Sequence, residues 1–222
     1  IFDEIEGHAY RVSLTSPVLS QGKFNTLLNI EDEKLKIADI DATYDPENGD
    51  LRSAVEGLCL TAETAVRGGA TLLILSDRQI GDSRLPIHSL LATGAVHHHL
   101  IRQKKRTLVG LIVETGDARE VHHMALLIGF GAAAINPYLA FESIDDMILS
   151  GEGVGLHGLG GIDAGKARKN YIKASGKGVL KVMSKMGVST VASYTGAQIF
   201  EAIGLSSELV DEFCTGTVSH LG

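Results

Sequence analysis

The sequence predicts an α/β fold: a mostly parallel sheet of βα units arranged as an incomplete barrel of the TIM, or (β/α)₈, type. From Leu35 onward, short β-rich runs alternate with longer helical patterns, as βα units building a parallel sheet do. Most of those runs are apolar from end to end, the mark of parallel strands covered on both faces. Incompleteness follows from length. A closed barrel takes eight units and ~250 residues, whereas only five or six units can be counted in these 222 residues.

Residues 1–34 read as an extended leading segment, which includes Ser16-Pro17-Val18-Leu19, followed by a short helix. Residues 35–222 supply the βα units, and the whole of 1–222 reads as one domain. Strands are predicted at Leu35–Ile40, Thr71–Leu75, Thr107–Val113, Ala132–Ile135 and Val188–Val191, and helices at Leu51–Arg67, Pro86–Lys104, Ala118–Ile128 and Lys166–Met186. Asp50 can cap the helix that begins at Leu51. Pro86 stands where a helix start tolerates its missing N–H. Gly68-Gly69, Gly129 and Gly187 each follow a last apolar turn, where a left-handed cap favours glycine. Arg102, Lys104, Lys105 and Arg106 close the second helix and complement the negative end of its dipole. Gly151 to Gly161 reads as a flexible glycine loop. The chain begins at Ile1 instead of Met, so it reads as a piece of something longer.

With 44% hydrophobic and 21% charged residues, a real core is expected. A net charge of −7 gives no electrostatic footprint for nucleic acid, and no apolar run approaches the ~18 residues of a membrane span. Cys59 and Cys214 are not closely spaced, which suits free thiols in a reducing cytoplasmic or plastid-like compartment.

Ligands in such folds gather at the carboxyl ends of the strands. Here those ends read Thr43-Tyr44-Asp45, Ser76-Asp77-Arg78, Glu114-Thr115-Gly116, Asn136-Pro137-Tyr138 and Ser193-Tyr194-Thr195-Gly196. These side chains suit either a small polar substrate or mutual capping, and spacing assigns none of them a role. His97-His98-His99 cannot converge on one metal ion, because consecutive helical residues point about 100° apart. A cluster of His98 with His122 or His123 across two helices remains open. The glycine loop could cradle a phosphate, yet it lacks the Gly-Lys-Ser/Thr ending of a P-loop and a preceding strand. No Gly-x-Ser-x-Gly elbow promotes a nucleophile.

Several long blocks together resemble the central domain of glutamate synthases, both ferredoxin- and NAD(P)H-dependent. They run over Ser16–Leu19, Ile74–Arg78, Ser89–Arg102, Val113–His123, Ile135–Glu142, Lys181–Thr190 and Ser193–Leu205. The resemblance implies a large enzyme that converts glutamine and 2-oxoglutarate into two glutamates. Its parts would be an amidotransferase, this central domain, a synthase barrel holding FMN and a 3Fe-4S cluster, and a β-helix. The segment would resemble an FMN-linked oxidoreductase barrel with parts missing, with no catalytic residue, cofactor or metal of its own. Its partners would be the amidotransferase and FMN-binding domains of the same chain, between which it would wall an ammonia tunnel. Asp77, Arg78, Glu114, Thr115, Asn136 and Tyr194 then become interdomain or tunnel-side candidates. Isolated, the segment would be inactive and would expose interdomain surface through which it could self-associate. The alternative is a free-standing FMN- or phosphate-binding enzyme on a partial barrel.

Overall fold

A computed structural model describes residues 11–150 and 162–220; the glycine loop at 151–161 lies outside the described residues. Four parallel strands form the main sheet in the order β1 (Ile37–Asp41), β3 (Leu72–Ser76), β5 (Gly110–Glu114), β6 (Ala134–Asn136). They stand in register, with Asp41 opposite Ser76, Ser76 opposite Glu114 and Glu114 opposite Asn136. Beyond β6 the leading segment adds itself to the edge. Ile135 N donates to Pro17 O and Leu19 N to Ile135 O, both at 2.8 Å. The sheet is open, with β1 at its other end.

Side chains alternate across a strand, and the alternation splits the core. Leu73, Leu75 and Leu111 face α2 (Leu51–Arg67) and α3 (Ser89–Arg102). Further along the same face, Val113 and Ile135 meet α4 (Val121–Gly129) and α6 (Ala164–Lys185). Ile74, Ile112 and Ala134 face the other way, onto Phe24 and Leu27 of α1 (Gln21–Leu28). In a closed barrel, side chains of the remaining strands would fill that inner side. Here one helix of the leading segment covers it.

The Asp50 cap is formed, its carboxylate accepting Ser53 N at 2.8 Å, and α2 spans the predicted residues. Three predictions are corrected. Val188–Val191 is no strand: Gly187 turns left-handed at φ +72°, Val188 N closes the end of α6 on Met183 O, and Thr190 caps a four-residue helix, α7 (Val191–Tyr194). A β-branched run had fallen between a helix stop and a new helix cap. Pro86 does not start a helix either. It lies in β4 (Leu85–Pro86), antiparallel to β2 (Thr43–Tyr44), while α3 begins at Ser89 with its first N–H bonded to Asp117. The left-handed glycine after α4 is Gly131, at φ +126°, in place of Gly129.

Sequence reading did not mark α5 (Tyr138–Leu149), which packs against α6. Nor did it mark the final unit, a parallel pair of β7 (Glu201–Ile203) and β8 (Val218–His220) joined by α8 (Ser207–Phe213). Phe213 and Leu209 anchor α8 against the α2–α3 side, and Arg52 of α2 pairs with Glu212 at 2.8 Å.

Where α4 and α6 cross, the helices approach through Gly178: a Cβ there would stand 2.2 Å from Val121 Cγ2. Gly178→Ala should therefore destabilise the fold by about 1–3 kcal/mol, read as a lowered urea midpoint. Adding Val121→Ala should recover part of the loss, since the two sites share one contact. Phe24→Ala, which uncovers the inner face of the sheet, should cost about 3–5 kcal/mol in the same measurement.

Candidate functional site

The carboxyl ends of β3, β5 and β6 bring together five of the six candidate side chains. Asp77 is 2% exposed. Its carboxylate accepts the Thr115 hydroxyl at 2.6 Å and Gly116 N at 3.0 Å, and also the Tyr138 hydroxyl. Burial raises its pKa from the ordinary aspartate value, and the three donors pull it part of the way back. Burial and the neighbouring Asp77 carboxylate raise the Tyr138 phenol as well.

Beside this group lies a second one centred on Arg78. Glu114, 6% exposed, accepts the Ser76 hydroxyl at 2.5 Å and Arg78 Nε at 3.0 Å. Arg78 also reaches Glu142 at 2.8 Å and Gln21 at 3.2 Å, and its guanidinium lies 4.1 Å from the centre of the Tyr138 ring. One cation thus ties the ends of β3 and β5 to α1 and α5. Asn136 is fully buried; its Nδ2 donates to Leu19 O at 3.0 Å, which holds the leading segment to β6. Its Oδ1 has no partner among the described residues.

Tyr194 belongs elsewhere. It sits in α7, wholly buried, with its hydroxyl donating to Ala125 O at 3.0 Å and its ring edge-on to Phe200. Its place among the strand ends followed from the strand read at Val188–Val191, and with no strand there it stands apart from the cluster. Gln21 and Glu142 join the cluster unannounced by pattern. Glu142 follows Tyr138 by one helical turn, a signal that becomes usable once α5 is recognised.

The histidines diverge. His97 is buried and its Nδ1 accepts Arg106 Nε at 2.9 Å; His98 meets the His97 ring edge-on; His99 bonds Glu63 at 2.8 Å. His123 Nδ1 accepts backbone N–H groups at the start of α4, and His122 lies edge-on to Phe200. Arg106, read from sequence as a helix-end cation, turns inward: it also donates to Val109 O at 2.7 Å and Gly131 O at 2.8 Å, and burial lowers its pKa. Burial followed by the adjacent Arg106 charge lowers His97 to about 4. Cys59 is buried with its thiol pushed up to about 11 by desolvation, and burial raises Cys214 as well.

The blocks Ser16–Leu19, Ile74–Arg78, Val113–His123 and Ile135–Glu142 all meet at this cluster. Over residues 1–206 the chain matches the family described as the glutamate synthase central domain. The chain belongs to this family. It is 46% identical over 217 residues to the NADPH glutamate synthase large chain of Bacillus subtilis, covering 98% of this chain and 14% of that one. It is 42% identical to the NADH glutamate synthase of Schizosaccharomyces pombe, covering 95% and 10%. It is also 42% identical to the chloroplastic ferredoxin-dependent glutamate synthase of Oryza sativa, covering 97% and 14%. The central domain thus spans 10–14% of the length of these curated relatives. Among solved structures it is similar to a flavocytochrome b2 mutant, with a TM-score of 0.47 and 13% identity over 80% of this chain and 38% of that one.

The buried histidine makes the central domain acid-sensitive. A base whose folded pKa is depressed loses stability as pH falls from the unfolded value, here 6.5, toward about 4. Between pH 6.5 and 5, His97 should remove about 2 kcal/mol. His97→Asn, whose amide oxygen can replace Nδ1 as the acceptor for Arg106, should flatten that slope in urea titrations.

Proposed function

We propose that this segment is the non-catalytic central domain of a glutamate synthase large chain. In that chain, glutamine and 2-oxoglutarate yield two glutamates at the expense of a reductant. The domain bridges the amidotransferase and the FMN-binding synthase domains and helps wall the path of ammonia between them. The observation that carries the reading is the near-full-length match to chains of which this segment is 10–14%.

The chemistry of the strand ends agrees with a structural role. Glu114 and Glu142 pair with one guanidinium, Asp77 lies buried beside them, and these carboxylates would repel a flavin phosphate. Two cysteines in the whole sequence are too few to hold an iron–sulfur cluster. The FMN and the 3Fe-4S cluster of the parent enzyme therefore belong, on this reading, to another domain. Arg78, the exposed member of the cluster, faces the interdomain or tunnel side on this reading, with Asp77, Glu114, Thr115 and Asn136 buried behind it. Two unpaired cysteines suit a reducing compartment, the cytoplasm or a plastid.

The test is made in the full-length large chain. Arg78→Ala should lower glutamine-dependent glutamate synthesis by roughly ten-fold, while synthesis from added ammonia stays unchanged. Equal loss of both activities would place Arg78 in general stability instead of channelling. Saturable micromolar FMN binding by residues 1–222, with a flavin spectral shift, would overturn the non-catalytic reading.

A further inference from the structure

α6 is a poor helix by its own composition. It carries seven Lys and Arg side chains and no carboxylate. Lys169, Lys173, Lys177, Lys181 and Lys185 follow one another at i, i+4 spacing, where like charges repel. Lys166 and Arg168 stand near its start, against the positive end of the macrodipole. Gly176 and Gly178 weaken its helix propensity further, and packing against Val121 accounts for Gly178 alone.

The five spaced lysines are all exposed. Of the seven cations, Arg168 is the one with a carboxylate in ion-pair range among the described residues, Asp145. A helix bearing seven cations in a chain of net charge −7 leaves everything outside it twice as acidic as the whole. The positive charge is concentrated on one element.

Apolar side chains lie among these lysines. Leu180 is 63% and Met186 48% exposed. Lys173, Lys177 and Leu180 border a groove of about 1040 Å³ that is lined deeper by Phe141 and Val179 and runs to Arg78 and Tyr138. An apolar centre with a charged rim is the anatomy of a protein interface. From Lys169 to Lys185 the series spans about 24 Å, the breadth of one standard patch of roughly 800 Å².

We propose that this face of α6 and its groove receive an acidic surface of a neighbouring domain of the parent large chain. The proposal rests on reading the segment as the central domain of a longer chain. Charge selects the partner: the like-charged series is relieved by carboxylates brought to it. An extended polyanion such as nucleic acid would run off the helix onto acidic surface, so a compact acidic face fits better. The relatives, about seven to ten times longer than this segment, provide domains to present it. A domain seated there would also lie over the Arg78 cluster, where the groove ends.

The experiment uses the native full-length large chain. A brief acetylation pulse, read by mass spectrometry, should modify Lys169, Lys173, Lys177 and Lys181 about five-fold more slowly than the exposed Lys104. A zero-length carbodiimide should join them to Asp or Glu of another domain of the same chain. The triple variant Lys173→Glu, Lys177→Glu, Lys181→Glu should lose those links and unmask Lys169, with native circular dichroism retained. Labelling as fast as Lys104 would overturn the proposal. So would links to Asp3, Glu4 or Glu6, links to a second copy, or protection removed by nuclease. Ammonia channelling can fail while these lysines stay protected, so failure of the functional reading would be seen separately.

Discussion

An open parallel sheet holds only if both of its faces are covered, and here the second face is covered by chain that arrives before the first strand. The leading segment hydrogen-bonds to the outer edge of β6 through Pro17 and Leu19. It then places Phe24 and Leu27 of α1 on Ile74, Ile112 and Ala134. In a closed barrel the opposite strands would supply those contacts. The strand order, the register of the strand ends and the groove beside α6 all presuppose that cover. Asn136, which holds Leu19 O, joins it to the polar cluster.

The cluster itself trades reactivity for rigidity. Asp77 is buried with three donors, and Glu114 is buried with a hydroxyl and a guanidinium, so each carboxylate is compensated where it stands. Such a network holds strand ends and helix starts in fixed relation. The same economy governs the amino-end side, where half-buried Arg106 satisfies Val109 O, Gly131 O and His97 together. A Cβ on Gly131 would stand 2.4 Å from His97 Nδ1, so glycine is required there by space as well as by its left-handed φ.

α6 departs from this self-sufficiency. Its inner side is fixed by Val179 and Met183, but its outer side carries charge that the described residues do not neutralise. Arg78 and Arg106, by contrast, spend their charge on bonds within the domain. The contrast between cations spent on internal bonds and cations left facing outward separates the domain's framework from its contact surface.

Local chemistry made much of this legible in the sequence. The bounds of α2 followed from Asp50 before it and Gly68-Gly69 after it, because capping is decided by adjacent residues. Four of the five predicted strands and the polar residues at their ends followed from apolar runs that stop abruptly. The pattern misled where one local signal served two structures. Val188–Val191 has strand composition but is spent on a helix stop and a new cap, and Pro86 fits an edge bridge as well as a helix start. The sequence by itself determined the class of fold, the family and five of the residues at the strand ends, since these depend on neighbours along the chain. Tertiary structure alone decided that Gln21 and Glu142 complete the Arg78 cluster, that Tyr194 lies outside it and that Arg106 turns inward. Those outcomes depend on residues far apart in sequence, whose meeting no local pattern encodes.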